Sequence, residues 1–290
     1  MFHGAIVATV TPFKKGKVDF PTLRKLIDRQ IRNGTDGIVP CGTTGESATL
    51  SHQEHKRVIE ETVKIVKKRV PVIAGTGSNN TDEAIVLTKH AKKVGADGAL
   101  VITPYYNKPM QEGLFVHFKK VAESASIPIV LYNVPSRTGV NMLPDTVARL
   151  SKIKNIVAIK EASGDLNQVC EIIRRTSASF SVLSGDDFLF YPMLCVGGRG
   201  VISVTSNVAP GEMAGIYDAF SEGHLEKAKK LHYRLMPLYT SLFIETNPIP
   251  SKTALGIMRL ITPELRLPLT PISAGGKKVL VNVLKSLKIT

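Results

Sequence analysis

Ile156-Val157-Ala158-Ile159-Lys160-Glu161 is the stretch from which the fold can be read. Four aliphatic residues in succession are too few for a buried helix and too uniform for a strand with one wet face. Such a run fits a parallel strand covered on both sides. Seven more runs of this kind lie at residues 5–10, 37–40, 70–75, 98–103, 127–133, 180–184 and 200–204. Between them the apolar spacing becomes helical, as in Leu23, Leu26, Ile27, Ile31 and again in Val58, Ile59, Thr62, Val63, Val66. Ser51-His52-Gln53-Glu54 has the form of a capping box. Thr81-Asp82-Glu83 and Pro144-Asp145 read as first turns, and Gly34 and Gly95 stand where helices end.

A strand, a helix and a second strand form a βαβ unit, the building block of a parallel sheet. Eight of them predict an α/β fold, a (β/α)8 TIM barrel, over residues 1–223. From residue 224 onward only helical patterns remain, at 225–243, 252–261 and 272–287, punctuated by Pro248, Pro250, Pro263, Pro268 and Pro271. They predict a C-terminal helical appendage, residues 224–290, packed on the barrel.

Catalytic groups of such barrels sit at the C-terminal strand ends. Here those ends carry Gly42-Thr43-Thr44-Gly45-Glu46, Tyr105-Tyr106, Tyr132-Asn133-Val134-Pro135-Ser136-Arg137, Lys160-Glu161 and Gly185-Asp186-Asp187. Lys160 is the most informative. A desolvated ammonium is costly, so burial favours the neutral amine, which is the nucleophile that forms Schiff bases with carbonyl substrates. A structural pair with Glu161 is the plainer alternative, but neighbours on a strand face opposite ways. Tyr132 ends the preceding strand and either passes a proton or merely caps the core. The Gly42–Glu46 loop is either a carboxylate cradle or an ordinary tight turn. Arg137, on a short loop, offers a bidentate fork for a carboxylate, or is a surface arginine.

Other motifs carry less. Gly75-Thr76-Gly77 lacks the third glycine of a dinucleotide fingerprint. His52 and His55 have no third ligand, and Asp186-Asp187 alone makes no magnesium site, so no metal is expected. Apolar residues are 43% and charged residues 21% of the chain, the composition of a soluble globular protein. The net charge is +14, yet the cations are scattered, as in Lys64, Lys67, Lys68 and Arg69, and tryptophan is absent. A solvated lysine-rich surface that attracts carboxylates therefore outweighs a nucleic-acid interface. Cys41, Cys170 and Cys195 form neither a disulfide framework nor a zinc pattern, which suits a reducing compartment. No cationic leader precedes the first strand and no apolar run nears the roughly 18 residues of a membrane span, so a cytoplasmic protein is expected.

The segments at 42–46, 132–139 (Tyr-Asn-Val-Pro-Ser-Arg-Thr-Gly), 159–162 (Ile-Lys-Glu-Ala), 184–187 (Ser-Gly-Asp-Asp) and 245–250 (Glu-Thr-Asn-Pro-Ile-Pro) resemble the dihydrodipicolinate synthase family. That family belongs to the pyruvate-dependent class I lyases, as N-acetylneuraminate lyase does. The resemblance runs essentially end to end. It implies a cofactor-free condensation of pyruvate with L-aspartate 4-semialdehyde to 4-hydroxy-tetrahydrodipicolinate, the first committed step toward L-lysine by the diaminopimelate route. Lys160 would form the Schiff base, with Tyr132, Thr43 and Tyr106 as the proton relay and Tyr106 entering from a neighbouring subunit. Thr44 would contact the pyruvyl carboxylate, Arg137 would receive the semialdehyde carboxylate, and Gly185 and Ile202 match backbone positions near the site. Ser47, Ala48, His52, His55, Asn79, Glu83 and Tyr105 match a feedback site for L-lysine, and a homotetramer, a dimer of dimers, is implied. A related sugar-cleaving lyase is the nearest rival, but Pro-Ser-Arg-Thr-Gly and the tyrosine pair favour the synthase. A basic barrel that binds nucleic acid would leave Lys160 unexplained.

Overall fold

The structure, a computed structural model, describes residues 2–289. The eight expected strands are present as Gly4–Ala8, Gly37–Val39, Ile73–Gly75, Gly98–Ile102, Ile129–Asn133, Ile156–Glu161, Ser181–Ser184 and Gly200–Ser203. All pair in parallel in one sheet in which the first strand lies between the second and the eighth. A parallel bridge between Ile38 and Val72 joins the second strand to the third and closes the barrel.

Strand ends shift from the expected bounds for local reasons. Pro71 and Pro128 have no N–H to give, so the third and fifth strands begin later, at Ile73 and Ile129. The first strand stops at Ala8 because the next inner donor, the Val10 N–H, goes to Asn207 Oδ1 at 3.1 Å. A two-rung hairpin, Phe13–Lys14 with Lys17–Val18, is too short to show any periodicity in sequence.

Alternation along the strands makes two cores. Ile6, Ala8, Val39, Ile73, Leu100, Val130, Tyr132, Ala158, Leu183 and Ile202 fill the barrel interior. Val7, Ile38, Ala74, Val101, Leu131, Ile159 and Val182 face outward to meet the helices. A third cluster joins Ala5 and Val201 of the barrel to Leu235, Tyr239, Ala254 and Leu280 of the C-terminal helices, so these are packed on the barrel.

Those helices run Leu225–Leu242, Ile249–Ile257 and Ala274–Ser286. The second differs from the expected 252–261. Pro248 and Pro250 do not precede the helix but open it, since the first turn has no use for the N–H they lack. Among the described residues no helix is long and apolar enough to cross a membrane.

Candidate active site

Lys160 shares its strand face with Ala158, and its side chain is directed into the barrel mouth. It is 6% exposed and lies opposite Tyr132 on the neighbouring strand, with Nζ 4.1 Å from the Tyr132 ring centroid. No ion pair engages it among the described residues. Glu161 faces the other way, as alternation requires. Asn133 Nδ2 donates to its two oxygens at 3.1 and 3.0 Å, the Ser163 N–H donates at 2.7 Å and Gln168 Nε2 at 3.2 Å. Burial raises the Glu161 carboxyl above its ordinary range, and these hydrogen bonds oppose the rise. Asn133 stands opposite Glu161 in register, so this outward pair pins the two strands immediately beside the inward pair Tyr132–Lys160.

Gly185 follows the seventh strand directly and lies against the same lysine. A Cβ there would meet Ala162 Cβ at 2.6 Å and Lys160 Cε at 3.0 Å. Only glycine leaves the lysine its path.

The Gly42–Glu46 loop is held in an uncommon shape. Cys41 and Glu46 both take left-handed conformations, with φ of 56° and 52°. For non-glycine residues this costs about 1–3 kcal/mol each and survives only where surroundings dictate it. Thr11 Oγ1 donates to the Gly45 carbonyl at 2.7 Å, and Asn247 Nδ2 donates to Thr44 Oγ1 at 2.9 Å. Arg137 lies not on a loop but in one helical turn, Pro135–Thr138, with Pro135 at its start. Its exposed guanidinium reaches the Asn247 carbonyl at 3.3 Å. Asn247 thus touches both Thr44 and Arg137, a role no local sequence signal announces.

Thr43, Thr44, Tyr132, Arg137, Lys160 and Gly185 line one cavity of about 640 Å³, within the size range of small-molecule sites. Ile202 does not line it. That residue is fully buried in the interior layer beneath, paired with Ile6. Tyr106 does not line it either. It is 90% exposed, with φ of 73°, so a bulky side chain is held in a strained backbone conformation in solvent.

A second cavity of about 480 Å³ is lined by Ser47, Ala48, His52, His55, Glu83 and Tyr105, among others. His52 Nε2 lies 3.0 Å from Glu83, which also accepts from Ser78 Oγ. His55 Nε2 is 2.7 Å from the Gly75 carbonyl and so donates to it, and burial pushes the ring's pKa down. The bond to Gly75 opposes that fall, and with Nε2 donating, the neutral ring has Nδ1 as its acceptor. Asn79 lies outside this lining, its carbonyl accepting from Asn107 Nδ2 at 2.9 Å. The two cavities share Gly42, Thr43, Leu100, Tyr132, Arg137, Thr246 and Asn247 as common wall. Among the described residues no group of three or more His, Cys, Asp or Glu is placed to hold a metal ion.

The model of the dihydrodipicolinate synthetase family matches residues 1–287. The chain belongs to this family. A 4-hydroxy-tetrahydrodipicolinate synthase of Syntrophus aciditrophicus (strain SB) is 62% identical over 286 residues, 99% of this chain and 98% of the relative. The crystal structure of the chloride-inhibited dihydrodipicolinate synthase from Acinetobacter baumannii, complexed with pyruvate, superposes with a TM-score of 0.98. It is 47% identical and covers 100% of both chains. The family member from Cyanidioschyzon merolae, solved with lysine bound, gives a TM-score of 0.96 at 42% identity, covering 100% of this chain and 99% of that one.

Proposed function

We propose that this lyase condenses pyruvate with L-aspartate 4-semialdehyde to 4-hydroxy-tetrahydrodipicolinate, with Lys160 as the nucleophile. The observation that carries this reading is a buried lysine without a counter-ion among the described residues, facing Tyr132 in a cavity walled by hydroxyls. The named activity of the relatives supports the substrates. The Lys160 amine adds to C2 of pyruvate, and water leaves to give an imine. Loss of a C3 proton makes the enamine, whose C3 attacks the aldehyde carbon. The semialdehyde's own amine then adds to C2, the ring closes, and Lys160 is released.

In this scheme the Gly42–Glu46 loop and Thr44 hold the pyruvyl carboxylate, and the exposed Arg137 receives the semialdehyde's carboxylate at the mouth. Gly185 leaves room for the lysine, and Ile202 supports the strand end from below. Tyr132 and Thr43 pass protons, joined by Tyr106 of a neighbouring copy, because Tyr106 does not line its own cavity. That requirement calls for at least a dimer, and the homotetramer of paired dimers is carried by the family resemblance. Incubation with pyruvate followed by borohydride should fix a reduced pyruvyl group on the peptide that carries Lys160. A label on another lysine, or none, defeats the reading.

L-Lysine fits the second cavity as an effector. Glu83 and the free Nδ1 of His55 suit its ammonium groups, and Tyr105 suits its carboxylate. Asn79, outside the lining, would have to turn inward to take part. Because Thr43 and Tyr132 border both cavities, occupancy of one can bias the relay in the other, a coupling typically worth about 1–3 kcal/mol. Initial rates should fall with L-lysine to a partial plateau, and Glu83→Ala should abolish the fall without altering imine trapping. Full activity at millimolar L-lysine, with no binding heat, would remove the effector role.

A further inference from the structure

We infer that the buried ion pair Glu46–Lys252 is a positioning device that holds the Thr43–Thr44 hydroxyls where a substrate carboxylate binds. The inference rests on the reading of Lys160 and the Gly42–Glu46 loop given above. The two side chains are 1% and 0% exposed, the most enclosed charge pair among the described residues. Lys252 lies in the helix Ile249–Ile257, and its Nζ also donates to the Glu264 carbonyl at 2.9 Å and sits 3.9 Å from the Phe13 ring centroid. Burial pushes its ammonium down, and Glu46 pushes it back up. Glu46 closes the loop in its left-handed conformation and accepts the Arg266 N–H on Oε2 at 3.2 Å.

The same helix entrance grips the loop a second time. Asn247 donates to Thr44 and is itself held by Ser251 Oγ at 3.1 Å, one residue before Lys252. One rigid element therefore fixes the middle of the loop and its end. Desolvating two charges tends to cancel their attraction, and well-packed apolar residues commonly replace such pairs without loss of stability. Stability alone does not explain the pair. What it does supply is geometry, because an aliphatic residue at 46 has nothing to draw its backbone into the left-handed state. Arg266 extends the same clamp through a bidentate contact to Glu54 at 2.8 and 2.6 Å, and its guanidinium carbon lies 4.3 Å from the Phe13 ring centroid.

The test is the double variant Glu46→Leu/Lys252→Met, which keeps volume and removes both charges together. Thermal unfolding, steady-state kinetics and the rate of borohydride-trappable imine formation are measured beside the wild type. The expected result is unfolding within a few degrees of wild type, KM for pyruvate raised about tenfold or more, slower trapping, and an unchanged KM for the semialdehyde. Glu46→Gln/Lys252→Met, which is nearly isosteric at 46 and leaves no charge unpaired, serves if the first double variant does not fold and should show the same rise confined to pyruvate. Wild-type KM and trapping rate in a folded variant overturn the positioning role. A wild type that takes no label from pyruvate overturns the reading of the site, and this inference with it.

Discussion

Lys160→Ala should lower kcat/KM for the condensation by about 10⁴-fold or more, while the folded protein loses little or no thermal stability. With Lys160 as the proposed nucleophile, its loss would remove the imine outright and leave only substrate positioning. A loss of that size corresponds to about 5.5 kcal/mol of transition-state stabilisation. Stability behaves differently because among the described residues no ion pair engages Lys160, so truncation orphans no charged partner and removes only side-chain packing such as that against the Tyr132 ring. A structural lysine would show the reverse pattern, with weakened folding and activity falling only in step. The same variant tests Tyr106. Mixed with Tyr106→Phe under subunit exchange, it should recover activity, since some sites then combine an intact lysine with a neighbour's intact tyrosine. No recovery after proven exchange would assign the Tyr106 hydroxyl to its own chain.

The parts of this site that sequence reveals are those fixed by strand alternation. The run 156–161 shows a strand because every neighbour is aliphatic, and alternation alone separates Lys160 from Glu161, as the structure bears out. The lining of the two cavities gathers Thr43, Thr44, Tyr132, Arg137, Lys160 and Gly185, then Ser47, Ala48, His52, His55, Glu83 and Tyr105. What sequence hides is the support. Asn247 and Thr44 are 203 residues apart and meet only because a C-terminal helix returns over the barrel mouth. Glu46 and Lys252 join for the same reason, and neither carries a local pattern that predicts burial. The helix opening at Ile249 is hidden by two prolines, which read as breaks until one sees that a first turn tolerates them. Tyr106 is a different case. The single chain shows only that it is exposed and held in a strained backbone conformation.

Gly185→Ala should slow imine trapping by about 10²-fold or more, since misplacing a reacting group by around an ångström costs that much. The added methyl would fall 2.6 Å from Ala162 Cβ and 3.0 Å from Lys160 Cε. The backbone has little freedom to relieve this. The Gly185 N–H is bound to the Glu161 carbonyl at 2.7 Å, and the Ala162 N–H to the Asn133 carbonyl at 2.9 Å. Two residues on, buried Asp187 accepts the Val204 and Thr205 N–H groups at 3.2 and 2.8 Å, which pins the chain leaving Gly185 to the eighth strand. The flexible partner is the Lys160 side chain, so it is the one that must move, away from Tyr132 and off the line to the carbonyl. Ala162→Gly added to the variant removes the shorter clash and leaves the one with Lys160. It should restore thermal stability more than it restores trapping. If Gly185→Ala alone trapped pyruvate at the wild-type rate, the lysine's position would not depend on that empty space, and the packing argument for glycine would be wrong.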